Sequence, residues 1–181
     1  MNNKKFKLIL LFGVMVIAAS ATGQRSVKVV QPTQQFDAKM AAAMLAQGNS
    51  QIAGVAYYEG RTLVGIKSEE TVYAREGTIV SLYPLTTYLE EYLKLKGKNK
   101  EGKQIASINP EAASYRVEVK IINAKGEFAF SGLKPGKYYL LSEVYFPSGI
   151  SSREVSEVVE ITSNGETVKC KLSKVYRGFI Y

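Results

Sequence analysis

Apolar and polar residues alternate strictly from Tyr115 to Ile122: Tyr115, Val117, Val119 and Ile121 fall on one side, Arg116, Glu118 and Lys120 on the other. A period of two predicts an antiparallel strand with one face buried and one in water. The same period recurs downstream. Phe128 and Phe130 flank Ala129, and from Lys137 to Phe146 the residues Tyr138, Leu140, Val144 and Phe146 share one face. Tyr139, Leu141 and Tyr145 share the other face with Lys137 and Glu143. Strands are also predicted over Gln51–Tyr58, where Gly54 marks a bulge or a close backbone approach, and over Thr78–Tyr83, with Val80 and Leu82 facing one way. Arg153–Thr162 reads as a strand whose alternation slips at Val158-Val159, predicting a bulge, and Glu166–Leu172 as its hairpin partner across Asn164-Gly165. Short β-like pieces sit at Thr62–Val64 and Thr71–Tyr73, and Val175–Tyr181 reads as a strand or docked coil.

Two segments follow the helical period instead. Phe36–Gln47 is rich in Ala and Met, has Asp37 as N-cap and stops at Gly48. Phe36, Met40 and Met44 make one apolar stripe, which suits packing on the edge of a sheet more than contact with a partner or a membrane. Thr87–Lys96 is the second helix, with Thr87 and Glu90 as a capping box, Lys94 and Lys96 at the dipole's negative end, and Gly97 as its stop. Gln24–Gln35 reads as a flexible segment and Gly97–Ala113 as a long polar loop.

The turns tie the strands together. Asn123–Gly126 and Lys134-Pro135-Gly136 bracket the Phe128–Phe130 strand, because Asn and Gly tolerate positive φ and Pro presets a turn. The run Gly126-x-Phe128-x-Phe130-x-Gly132-Leu133-x-Pro135-Gly136-x-Tyr138-Tyr139-Leu140 resembles the carboxypeptidase regulatory-like domain, a transthyretin-like β-sandwich. Gly48–Gly54 and Val80–Tyr88 are similar to that family's opening strand and V-x-L-x-P-x-T edge, so the resemblance spans Gly48–Pro147. It implies a mainly β chain, an antiparallel sandwich over residues 48–181 carrying a short N-terminal helix in residues 24–47 and one inserted helix. Its fold residues are Gly126, Phe128, Phe130, Leu133, Pro135, Gly136, Tyr138 and Leu140. Such motifs are about turns and core and carry little about chemistry.

Composition adds a compartment. The first 23 residues read as a signal peptide: Lys4, Lys5 and Lys7, then an apolar Leu8–Ala19, then Ala19-Ser20-Ala21, with Gly23-Gln24 as a second cleavage point. Retention as an uncleaved anchor is the alternative. The expectation is an exported protein in the periplasm or on the outer surface of a bacterium, with no membrane span after cleavage. Cleavage would lower the formal charge from +8 to +5 by removing three lysines. An envelope protein or an anionic glycan then fits as partner, and nucleic acid does not. The single Cys170 alternates with Lys169 and Lys171 and reads as a small core residue.

The chain has no histidine, which removes Ser-His and Cys-His nucleophiles and His-containing zinc sites. One Cys excludes a four-Cys metal site or an iron–sulfur cluster supplied by this chain, and no phosphate-binding glycine motif occurs. No cofactor, metal or catalytic residue is expected. Tyr176-Arg177-Gly178 is similar to the ending of 5-hydroxyisourate hydrolase, but that family's histidines have no counterpart here. Glu69/Glu70 and Glu90/Glu91 read as solvated charge. Two candidate binding features remain: Lys94, Lys96, Lys98, Lys100 and Lys103 as a basic loop for a phosphate- or carboxylate-rich polymer, and Tyr139, Leu141 and Tyr145 as an aromatic platform, unless a helix covers it. The expected role is a non-catalytic module, structural or binding protein or glycan at the envelope. A carboxylate-based glycan hydrolase and an assembly component with an open apolar face are the alternatives.

Overall fold

In the computed structural model, residues 26–61, 67–147 and 151–173 are described, with the side chains of 60, 61 and 67–70 outside that description. The leader segment, Thr62–Val64, the Glu69/Glu70 pair and the Tyr176–Gly178 motif therefore lie outside it. The elements run β1 (Lys28–Val30), α1 (Ala38–Leu45), β2 (Ser50–Arg61), β3 (Lys67–Tyr73), β4 (Ile79–Pro84), α2 (Thr87–Lys96) and β5 (Gln104–Ala106). Then come α3 (Pro110–Ser114), β6 (Val117–Lys120), β7 (Glu127–Leu133), β8 (Gly136–Tyr145), β9 (Ser152–Ile161) and β10 (Thr167–Leu172).

Alternation is satisfied by two facing sheets. One is antiparallel, in the order β6-β4-β8-β9. The other is built on β2, which pairs parallel with β10 and antiparallel with β7 and β3. Ala56 N–H donates to the Gly126 carbonyl, and its own carbonyl accepts from Ala74 N–H. A strand residue's N–H and C=O point to one edge, so β7 and β3 follow each other along one edge of β2 and β10 runs along the other. The chain is thus a mainly β sandwich.

The core between the sheets takes Ile52 and Ala56 from β2, Val80 and Leu82 from β4, Phe128 and Phe130 from β7, Tyr138, Leu140 and Val144 from β8, and Val155, Val159 and Ile161 from β9. Those of β4, β7 and β8 are the alternating sets the sequence predicts. Leu133 also belongs to the core, so the Gly126–Leu140 run does supply its turns and its centre. Tyr138 is buried, and its hydroxyl donates between the carbonyls of Lys134 at 2.8 Å and Met44 at 3.1 Å, tying α1 to the β7–β8 turn. On β2, Gly54 faces inward. A Cβ there would stand 2.6 Å from both Cys170 Sγ and Phe128 Cζ, so the missing side chain is what lets thiol and ring close over the strand.

Several expectations need correction. Glu166–Leu172 does not pair back on β9. The Asn164-Gly165 turn arches over the sandwich end, Gly165 N–H donating to Asn49 Oδ1 and Ser50 Oγ, and β10 joins β2 in parallel. A turn sequence specifies a reversal of direction, not the sheet the returning strand enters. No bulge occurs at Val158-Val159: the β8–β9 register is unbroken from Gly136↔Ile161 to Tyr145↔Ser152. The apparent slip arises because Glu157 occupies an inward position and Val158 an outward one. α2 is capped one residue early, by Thr86 accepting from Leu89 N–H at 3.3 Å. Gly97 is its C-cap with right-handed φ of −63°, so the helix ends without using a glycine's conformational freedom.

The supposed flexible segment and polar loop are both structured. β1 and β5 form a two-stranded parallel sheet, and α3 starts at Pro110 behind the Asn109 cap. The N-terminal segment is further held where the Glu91 carboxylate accepts from Thr33 N–H, Thr33 Oγ1 and Gln34 N–H at 2.9–3.0 Å. Those hydrogen bonds to the Thr33 and Gln34 backbone hold the Glu91 carboxyl below its ordinary value of 4.5. A carboxyl depressed by folding stabilises fully above its unfolded pKa, and that stabilisation is lost as pH falls through the folded value. Protection of the Thr33 and Gln34 amides from hydrogen exchange is therefore expected at neutral pH and lost below pH 4.5, while Glu91→Gln weakens it already at neutral pH. Protection of the two amides that is the same in wild type and Glu91→Gln at neutral pH contradicts the clamp.

Candidate functional site

α2 lies on the outer face of the β6-β4-β8-β9 sheet and makes a second small core there. Leu89 and Leu93 pack on Tyr139, with Leu85, Tyr92, Ile108 and Leu141 around them. Tyr139 is consequently 3 % exposed, whereas Tyr145 is 39 % exposed. The aromatic platform of Tyr139, Leu141 and Tyr145 is therefore not an open surface, because the inserted helix covers two of its three members. The assembly reading that needed this face bare loses its support.

The basic loop is also redistributed. Lys94 and Lys96 are on α2, and Lys96 Nζ meets Glu154 Oε1 of β9 at 2.5 Å, so its charge is committed to holding the helix down. Lys100 and Lys103 lie in the tight turn before β5, with Lys103 N–H donating to the Lys100 carbonyl at 3.0 Å. Lys94 and Lys98 do come together, around a shallow depression of about 540 Å³ with Leu85, Leu93 and Val158. The five lysines do not form one surface.

The larger concavity, about 930 Å³, is on the opposite side of the molecule's core, on the outer face of the β2 sheet. The register explains why it is concave. Outward positions line up as Lys169–Ala53–Ala129 in one row and Lys171–Val55–Glu127 in the next. Beyond them come Tyr57 opposite Tyr73, then Glu59 opposite Thr71. Small side chains occupy the middle of the sheet and long ones its margins, so the sheet surface itself becomes a floor with walls. Tyr57 and Tyr73 close one end, their ring centroids 6.0 Å apart and inclined at 49°. Tyr73 is 45 % exposed and Ile122, at the rim, is exposed too.

The electrostatics of the floor are simple. Cys170 packs partly buried against the core, as the sequence predicts, and burial, with Glu157 nearby, pushes its thiol up to about 12. It therefore stays a neutral, unreactive thiol at physiological pH. Glu127 is engaged by Asn123 Nδ2 at 2.6 Å. Among the described residues no group of three or more acidic or sulfur ligands could hold a metal ion. What the groove offers is contact area from two tyrosines, an apolar floor, and hydroxyl, carboxylate and ammonium groups at the edge. This combination suits a ligand that is itself amphipathic and rich in hydroxyls.

Sequence reasoning did not find this groove. Tyr57 and Tyr73 stand on strands joined through a segment with no clear pattern, and the lysines of β10 were read only for the direction of Cys170. The one available signal was the outward set Ala53, Val55 and Tyr57, which becomes a groove only when β10 and β7 flank β2.

No protein-family model and no curated protein matches the chain in sequence. Among solved structures, the chain is similar to a Pseudomonas aeruginosa protein provisionally named a carbohydrate binding protein. The TM-score is 0.56 at 23 % identity, over 78 % of this chain and 99 % of that one. A backbone protein of the group B streptococcus pilus 2b is also similar, with a TM-score of 0.36 at 19 % identity, over 69 % of this chain and 40 % of that one. The first of these likenesses supports the β-sandwich fold.

Proposed function

We propose that the protein is a non-catalytic glycan-binding module that holds its ligand in the groove on the outer face of the β2 sheet. The observation that carries this reading is the Tyr57/Tyr73 pair at the end of a floor of small side chains. A pyranose ring has an apolar C–H face that packs on an aromatic ring, whose face is electron-rich, while its hydroxyls need polar partners at the margin. The provisional naming of the Pseudomonas aeruginosa protein agrees with this reading. The signal-like first 23 residues support export to a bacterial envelope, and the Gly126–Leu140 run supports placing the sandwich with the carboxypeptidase regulatory-like domains.

A glycan array probed with wild-type protein and with Tyr73→Ala tests the reading. We expect binding to at least one glycan class, weakened about tenfold or more in the variant. Since Tyr73 is 45 % exposed, its removal should cost less than about 1 kcal/mol of stability. Glycan binding that is indifferent to Tyr73 contradicts the groove assignment.

A second reading has one observation in its favour. Glu59 and Glu127 both line the groove, and a pair of carboxylates flanking a bound sugar is what glycoside hydrolysis requires. Release of new reducing ends from a bound glycan, lost in Glu127→Gln, would replace the binding module with a hydrolase.

A further inference from the structure

The groove's two walls differ in charge. Both lysines are on the β10 wall, Lys169 level with Ala53 and Lys171 level with Val55. Both are exposed, and among the described residues neither forms an ion pair. Glu127 stands across the floor on β7, where it accepts from Asn123 Nδ2 at 2.6 Å, and Glu59 lies on β2 beyond the tyrosines with a partner of its own. The positive charge of the groove is therefore confined to the β10 side, where both ammonium groups are without an ion-pair partner among the described residues.

From this we infer that the ligand is an acidic glycan, a polymer of uronic-acid type, lying along β10 with its carboxylates toward Lys169 and Lys171. The inference rests on the glycan-groove reading above. Residues two apart on one strand are about 6.6 Å apart, so the two lysines leave the backbone at a spacing on the scale of a sugar residue, not of a single anion. A lysine is a flexible point charge and tolerates variation in the position of each carboxylate, which suits a polymer. The floor between the walls, Ala53, Val55 and Ala129, is uncharged, and the Glu127 carboxylate across it keeps the charges of a polyanion on the β10 side. The Tyr57/Tyr73 end supplies ring contact that does not depend on the charge of the sugar.

The experiment compares polygalacturonate with its fully methyl-esterified form, the same backbone without the charges, by affinity electrophoresis and calorimetry. Wild-type protein is expected to bind the acid about tenfold or more tightly than the ester. Lys169→Gln/Lys171→Gln should remove that preference by bringing acid binding down to the level of the ester. Tyr73→Ala should weaken both, and Lys94→Gln/Lys98→Gln, at the other depression, should change neither. Equal losses from the two lysine double variants would mean diffuse attraction to a basic protein and overturn the inference. Protein that binds a neutral glycan through Tyr73 but ignores polygalacturonate overturns the acidic assignment and leaves the groove reading standing. Protein that binds neither class overturns both.

Discussion

Phe130→Ala is expected to destabilise the protein by about 3–5 kcal/mol. Phe130 is 1 % exposed and sits in the middle of β7, level with Ile52 on β2. Its ring meets that of Phe128 edge-on, centroids 6.0 Å apart and planes at 75°. Truncation removes the transfer free energy of a benzyl group and leaves a cavity that strands on both sides cannot easily fill, since β2 is held by partners on each edge. The check is a denaturant titration: the midpoint should fall with the slope unchanged. Phe130→Leu, which keeps most of the volume, should cost under about 1.5 kcal/mol. A loss below about 1 kcal/mol for the alanine variant would mean that the ring is not in the core.

Gly126→Ala comes next in size, at about 2–4 kcal/mol, for a different reason. Gly126 closes the turn into β7 with φ of +73°, where an L-residue pays about 1–2 kcal/mol. A Cβ there would also stand 2.4 Å from the Ala56 carbonyl oxygen, the backbone of the neighbouring strand, which cannot move aside as a side chain could. That contact is close because Gly126 itself accepts the Ala56 N–H at 2.8 Å. Gly77 is the control: its φ is +84°, with nothing within 4 Å of the same position. Gly77→Ala should therefore cost only the conformational part, about 1 kcal/mol, and the difference between the two variants measures the clash. Equal losses would show that backbone conformation alone makes Gly126 necessary.

The two variants probe the part of the fold that was most legible. Alternation in β7 and β8 identified the buried residues because a strand has only two faces and one of them is hydrated, whereas the same pattern in β6, an edge strand, left Val117 exposed and only Ile121 beyond its end in the core. The α2 boundaries followed from its capping and its lysines, although the cap proved to be Thr86. The inward position of Cys170 also followed from its strand, since alternation put it beside Val168 and Leu172. Errors clustered where a local signal has two tertiary outcomes. Asn164-Gly165 reverses the chain equally well into the same sheet or into the facing one, and here the Asn49 and Ser50 partners of Gly165 set the arch. Tyr139 looked as available as Tyr145, because no local feature says which way an inserted helix will fold. The Lys96–Glu154 pair and the Leu89/Leu93 contact, both long-range, decide that it closes over Tyr139.

The residues of the candidate groove show the same division. From the sequence alone come the strand character of β2, and with it the shared face of Ala53, Val55 and Tyr57, and the alternation of Lys169 and Lys171 about Cys170. These depend only on the period of an extended chain. Which strands flank β2, and in what register, depends on pairing between segments more than a hundred residues apart, as between Val55 and Lys171. Only that pairing puts small residues at the centre of a sheet, tyrosines at one end and lysines on one wall.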